Sequence, residues 1–195
     1  MPRWTNAPPE TPDGPGLRIV RTPAASTLCA IATSPDVQGC PTHFFQRRTV
    51  PCEDSACEAC AAGVGWRWHG WFGCILSGTL EHVLFEITAQ AYEPLKPYIQ
   101  QHGTLRGCQF TARRNSTRNN ARVLISCKPA DLAKIQLPPA PDVIRQLSHI
   151  WGIPYEQLTA AGHTYHRLAR VTTNRKKPLT PTNSNAPEPS PPETP

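Results

Sequence analysis

The chain has 195 residues, a formal net charge of +6 and 23 prolines. At roughly 150 residues per domain this is one domain with a remainder, and no stretch reaches the roughly 18–20 uncharged apolar residues that a membrane span requires. The basic excess favours an anionic partner.

Residues 1–16 hold five prolines and residues 171–195 hold seven, mixed with Ser, Thr and Asn. Such segments have too little apolar surface to offset their ordering entropy, so both read as disordered tails. Pro2, Pro8, Pro9 and Pro12 interrupt the apolar run that a secretion signal needs, which points to a cytoplasmic protein with reduced thiols. Leu17 to Arg21 alternates apolar with basic and reads as a short strand. Residues 22–42 are small, punctuated by Pro and Gly, and show no period. His43-Phe44-Phe45 leads into a cysteine cluster at 52–60, closed by Ala61 to Gly65.

Trp66 to Leu76 is aromatic-rich and reads as a strand. After the turn Ser77-Gly78-Thr79, Leu80 to Thr88 alternates, with Val83, Phe85 and Ile87 on one face and His82, Leu84 and Glu86 on the other, so the two strands form a hairpin. A helix is expected over Ala89 to His102, starting as late as Pro94 because Pro94 and Pro97 fit only its first turns, and ending at Gly103. Leu105 to Arg113 and Ala121 to Lys128 are two further strands joined by the polar loop 114–120. Beyond Pro138-Pro139-Ala140-Pro141, a helix from Asp142 to Trp151 carries the stripe Val143, Leu147, Ile150 and Trp151, and a second helix is expected over 155–169.

Strand, cysteine insert, strand, strand, helix, strand, strand is the order of a five-stranded OB-fold barrel. The expected architecture is therefore mainly β (α+β): an OB-fold-like barrel over 17–130 with a zinc-binding insert at about 40–63, a helical cap over 131–170, and the two Pro-rich tails. The spacing from Val143 to Leu158, with Gly152 at the turn, also fits a helix-turn-helix. Its would-be recognition helix, Tyr155 to Ala161, has no Arg or Lys, which favours a helical pair capping the barrel.

Cys40-x2-His43-x8-Cys52-x4-Cys57-x2-Cys60 sets four thiols and an imidazole within 21 positions. Tetrahedral zinc takes four such ligands, and a C-x2-C turn lets two thiolates grip one ion. Cys57 and Cys60 supply the turn, Cys52 follows as a third ligand, and His43 is preferred to Cys40 as the fourth. A Cys40, His43, Cys57, Cys60 site with Cys52 spare is the rival set. With every position filled by protein, such a Zn2+ serves folding rather than catalysis. Cys74, Cys108 and Cys127 sit in strand patterns and read as small core residues.

The run His43-Phe44-Phe45, Val50-Pro51-Cys52, Cys57-Glu58-Ala59-Cys60-Ala61-Ala62-Gly63 and Arg67-Trp68-His69-Gly70 resembles the zinc-bearing single-stranded-DNA-binding proteins of bacteriophages, typified by the T-even helix-destabilising protein, and related bacterial proteins. The similarity spans about residues 40–130 and is densest over 43–70. It implies a His/Cys3 zinc subdomain on an OB-fold that binds single strands through basic and aromatic residues. The tail departs from the pattern: Arg175-Lys176-Lys177 and prolines stand where the phage proteins carry an acidic segment that recruits replication partners.

Between Gly103 and Ala130 there are six basic residues, Arg106, Arg113, Arg114, Arg118, Arg122 and Lys128, and no acidic one; Arg47, Arg48 and Arg67 flank the cysteine cluster. A phosphate backbone rewards one-signed charge through counterion release, and the loop 114–120 corresponds to one that lines ligand grooves in OB-folds. Trp66, Trp68, Trp71, Phe44, Phe45 and Phe72 are candidate stacking platforms. Alternation sets Arg67, His69 and Trp71 on one face, expected outward, with Trp71 as the stacking residue.

Paired carboxylates, a phosphate-binding Gly loop and a nucleophile motif are all missing, which argues against an enzyme. The expected function is single-stranded nucleic-acid binding, foremost of DNA, with replication or recombination proteins as further partners through the tails. The alternative is a zinc-ribbon adaptor or transcription regulator that binds protein or duplex DNA.

Overall fold

The computed structural model describes residues 16–53, 56–118, 121–133 and 135–159. Both expected tails, apart from Gly16, and the second C-terminal helix beyond Thr159 lie outside the described residues. Eight strands form one mixed sheet: β1 (Ile19–Val20), β2 (Leu28–Ala32), β3 (Gln38–Phe45), β4 (Arg48–Pro51), β5 (Arg67–Leu76), β6 (His82–Thr88), β7 (Cys108–Arg114) and β8 (Val123–Pro129). Among the described residues four helices are complete, α1 (Glu58–Ala61), α2 (Ala89–Tyr92), α3 (Leu95–His102) and α4 (Val143–Trp151), and residues 155–159 are helical up to where the description stops.

The strand order is β1-β6-β5-β2-β7-β8. The ten residues of β5 organise it. One edge of β5 pairs with β6 from His69 to Ile75. The other edge pairs first with β3, over Arg67 to Trp71, and then with β2, over Cys74 to Leu76. Between β2 and β3 the chain steps past Gly73, whose carbonyl accepts from Thr33 N and Ser34 N and whose N–H donates to the Ser34 hydroxyl. Beyond that step β2 runs on to β7, while β3 folds into a hairpin with β4.

The core lies where alternation predicts it. Val83, Phe85 and Ile87 point inward with Phe72, Cys74, Phe110 and Cys108. Phe72, Phe85 and Phe110 form a ring triad with centroids 5.2–5.6 Å apart, and burying each such side chain stabilises by about 1.5–3 kcal/mol. Leu95 and Ala91 close one end. The expected single helix over 89–102 is broken at Glu93–Pro94, because Pro94 cannot donate its backbone nitrogen and restarts the chain as the cap of α3. Gly103, at φ +70°, ends α3 as expected.

The expected closed barrel is not what forms. Closure requires β8 to pair with β6, but among the described residues β8 pairs only with β7, and β1 takes the free edge of β6 in parallel register, Ile19 opposite Leu84 and Val20 opposite Phe85. At the remaining gap the Arg114 guanidinium donates to the Thr22 carbonyl at 3.1 Å. A side-chain bridge stands where a strand ladder was expected.

The outer face of the hairpin carries a second apolar cluster, Trp71, Leu84, Val143 and Leu147, with Trp151 packed against it. α4 is capped by Asp142, whose carboxylate accepts from Arg145 N, and by Gly152 at φ +69°. Its stripe matches expectation except at Ile150, which is exposed. The helix therefore caps the outer face of β5 and β6.

Candidate metal centre and cationic groove

Four ligand side chains from three local structures meet at one point. β3 carries His43 opposite Val50 of β4. β4 ends at Pro51, and Cys52 N donates to the Pro41 carbonyl at 2.9 Å, which turns Cys52 inward. Cys57 then caps α1, and Cys60 lies in that helix's only turn. The ligand atoms of His43, Cys52, Cys57 and Cys60 all lie within 4.8 Å of one another. Cys52 Sγ and Cys60 Sγ are 3.6 Å apart, and Cys60 Sγ and His43 Nε2 are 3.4 Å apart. Metal bonds of about 2.3 Å to sulfur and 2.0–2.1 Å to nitrogen in a tetrahedron give edges of roughly 3.8 and 3.6 Å, so the quartet is already close to the size of one ion's shell. These residues could hold a metal ion.

The pocket is apolar where it is closed. Cys52, Cys57 and Ala59 are buried against Phe45 and Val64, His43 is 1% exposed, and Cys60 is exposed. Burial pushes the Cys57 thiol up, but hydrogen bonds with the backbone at Glu53, Cys60 and Ala59 and with the Cys60 side chain outweigh it, leaving the thiol below its ordinary range. The quartet faces Nε2 of His43; its Nδ1 is buried with no hydrogen-bond partner among the described residues, so packing alone orients the ring. Cys40 is elsewhere. It pairs opposite His69, packs near Trp71, and burial pushes its thiol up to about 12, so the rival set with Cys40 is not the one brought together.

The basic residues divide into groups. Arg47 and Arg48 sit at the tip of the β3–β4 hairpin, where Gln46 and Arg47 both take left-handed backbone, at φ +49° and +66°. They line a depression together with Arg21, Phe44, Glu86 and Trp151. Arg114 lines a second depression with Arg21, Thr22, Glu86 and Ala121. The two share Arg21 and Glu86 and so adjoin. Arg21 is held there: its guanidinium grips both oxygens of the buried Glu86 carboxylate at 2.9 and 3.0 Å and donates to Thr49 at 3.0 Å.

Arg113, Arg118 and Arg122 are exposed around the β7–β8 loop that leads to the second depression. Among the described residues Arg47, Arg48, Arg67, Arg113, Arg118, Arg122 and Lys128 form no ion pair with a carboxylate. Arg67 and Lys128 line neither depression. Arg106 is structural, its guanidinium donating to the carbonyls of Thr33, Leu137 and Pro138.

Trp71 lies on the outward face of β5 as expected, yet it is 1% exposed, because α4 covers it and Trp151 packs edge-on at 5.3 Å. It has no ring face to offer a base. Trp68 is also unavailable, stacked on Tyr92 at 5.5 Å against the core. Among the described residues the exposed aromatics are Phe44 and Trp66. Arg21 and Trp151 were not singled out from sequence as binding residues; the alternating basic strand 17–21 held the signal for Arg21, whereas Trp151 read as helix core.

No protein-family model matches the chain, and no curated protein or solved structure does.

Proposed function

We propose that the protein binds single-stranded nucleic acid, foremost DNA, without catalysis, on an OB-fold-like scaffold clamped by one structural zinc ion in a cytoplasmic, reducing setting. The observation that carries this reading is the adjoining pair of depressions, bounded by Arg47 and Arg48 on one side and by Arg114 on the other. A trough with cations at both rims and aromatic side chains beside it suits a flexible polyanion whose bases are free to stack. The scaffold reading is supported by strand order: with β2 and β3 as one bent first strand, β5, β6, the helices, β7 and β8 follow in the OB sequence, lacking only the closing pair.

Three thiolates and an imidazole are a donor set for zinc. Such an ion, when bound, supplies a fixed cross-link and no open coordination position. His43, Cys52, Cys57 and Cys60 would tie the base of the β3–β4 hairpin to α1, holding the hairpin tip beside Arg21. The resemblance of residues 43–70 to zinc-bearing phage single-strand binders adds to this reading.

Titration of the full chain with oligothymidine tests it. Tryptophan emission is expected to quench, with an affinity that falls steeply as salt rises. A flat titration at low salt, with binding to duplex instead, would overturn the reading in favour of a duplex-binding regulator.

A further inference from the structure

We propose that the depression between the β3–β4 hairpin tip and the last turn of α4 is a subsite for one unstacked nucleotide, its base against Phe44 and Trp151 and its phosphate on Arg47 and Arg48. This rests on the single-strand reading and adds where a base is taken in and that α4 forms a wall of the site.

Size comes first. The depression has a volume of about 220 Å3, below the roughly 300–1,000 Å3 of pockets that enclose a whole small-molecule ligand. It suits one flat ring entering from an open side. The second observation is Phe44. It stands on β3 opposite Thr49 and is 67% exposed, while its neighbour Phe45 packs over the cysteine quartet. A single exposed ring is ordinary in itself, but this one lines the depression beside Arg47 and Arg48, where it is well placed for stacking.

The cations are arranged for a phosphate. Arg21 is committed to Glu86 and Thr49, so it forms a fixed wall with its charge compensated. Arg47 and Arg48 are the guanidinium groups left over at this rim, and neither pairs with a carboxylate among the described residues. The left-handed backbone at Gln46 and Arg47 is the geometry that a two-residue hairpin loop between Phe45 and Arg48 requires, and it sets both arginines at the tip. Finally, the floor is short of an acceptor. Trp71 lines the depression, and its indole N–H is buried with no hydrogen-bond partner among the described residues. An unmet donor in a residue that lines the depression is a group that a ligand oxygen reaching it would satisfy.

The test compares the metal-loaded full chain with its Phe44→Ala and Phe44→Trp variants in oligothymidine titrations. It adds photocrosslinking of the wild-type chain to an oligothymidine bearing 5-iododeoxyuridine, with the adduct mapped by mass spectrometry. Phe44→Ala is expected to weaken binding about tenfold, within the range of one lost base stack, at unchanged Tm and salt slope. Phe44→Trp is expected to restore affinity, and the adduct to fall on Phe44 or Trp151. If the wild type binds but Phe44→Ala binds equally well, or the adduct lies only on other aromatics, the subsite is overturned while the single-strand reading stands. If the wild type itself fails to bind oligothymidine, both fall.

Discussion

Gly73 lies directly beneath Pro141: a Cβ on Gly73 would stand 2.5 Å from Pro141 Cγ and 2.6 Å from Thr33 Oγ1. That close approach seats the residue before the Asp142 cap and so fixes where α4 crosses the sheet. Gly73→Ala is expected to lift Pro141 and the start of α4, costing about 1–3 kcal/mol. The check is denaturant unfolding together with tryptophan emission, which should shift to the red as Trp71 and Trp151 gain water. Unchanged stability and emission would mean that α4 does not depend on this seat.

The hairpin tip uses backbone that glycine adopts most easily. Arg47 holds φ +66°, a region where a residue with a Cβ costs roughly 1 kcal/mol or more relative to glycine. Arg47→Gly should therefore raise the unfolding free energy by up to about 1 kcal/mol while weakening oligothymidine binding. Parallel chemical denaturation and binding titrations read the two effects. A variant that loses stability, or binds as well as before, contradicts the role given to the tip.

Metal occupancy should follow the observed quartet rather than cysteine content. Cys57→Ser or Cys52→Ser is expected to lose the bound ion, whereas Cys40→Ser, outside the quartet, should keep it. If the ion contributes even about 3 kcal/mol, its loss lowers Tm by roughly 6–12 °C in a chain of this size. Metal analysis of purified variants and melting curves with and without chelator provide the check.

Charge on the β7–β8 loop should act on backbone, not on sequence. Replacing Arg113, Arg118 and Arg122 by Ala is expected to weaken binding to all oligonucleotides alike and to flatten the salt slope by about 0.7 for each phosphate no longer neutralised. A loss confined to particular sequences would show that these arginines read bases.

Acid should destabilise the fold through two histidines. Burial holds His82 below its ordinary range, and Arg106 adds to the effect. His69 is also lowered by burial, partly opposed by Glu86 and reinforced by Arg21 and Arg67. Below about pH 6.5 the unfolded chain then takes protons that the folded chain does not. Stability accordingly rises with pH through this window, is lost on acidification from pH 7, and levels off below the folded values. His82→Gln keeps a partner for the Thr33 hydroxyl, which lies 2.9 Å from His82 Nε2, and should flatten the slope. Comparing the two proteins by denaturation at pH 5–8 isolates His82 from metal loss, which they share.

What was legible in the sequence was local. The alternation of Val83, Phe85 and Ile87 placed β6 and its face, Asp142 and Gly152 marked the ends of α4, and cysteine spacing selected the quartet. β2 was invisible because all but one of its residues are buried, which erases the two-residue period. β3 was hidden by Gly39 and Pro41, residues that argue against a strand, yet Gly39 leaves room for the Trp68 ring where a Cβ would collide with it. The open edge of the sheet and the covering of Trp71 were beyond reach for a different reason. Both depend on segments distant in sequence, β1 at the edge of β6 and α4 over β5, whose docking no local pattern encodes.

The most direct measurement is an oligothymidine titration of one full-chain sample as purified, after complete zinc removal, and after adding back one equivalent of zinc. The expected result is salt-sensitive binding that disappears with the ion and returns with it. Undiminished binding by a metal-free, fully folded chain would contradict the coupling of the quartet to the groove.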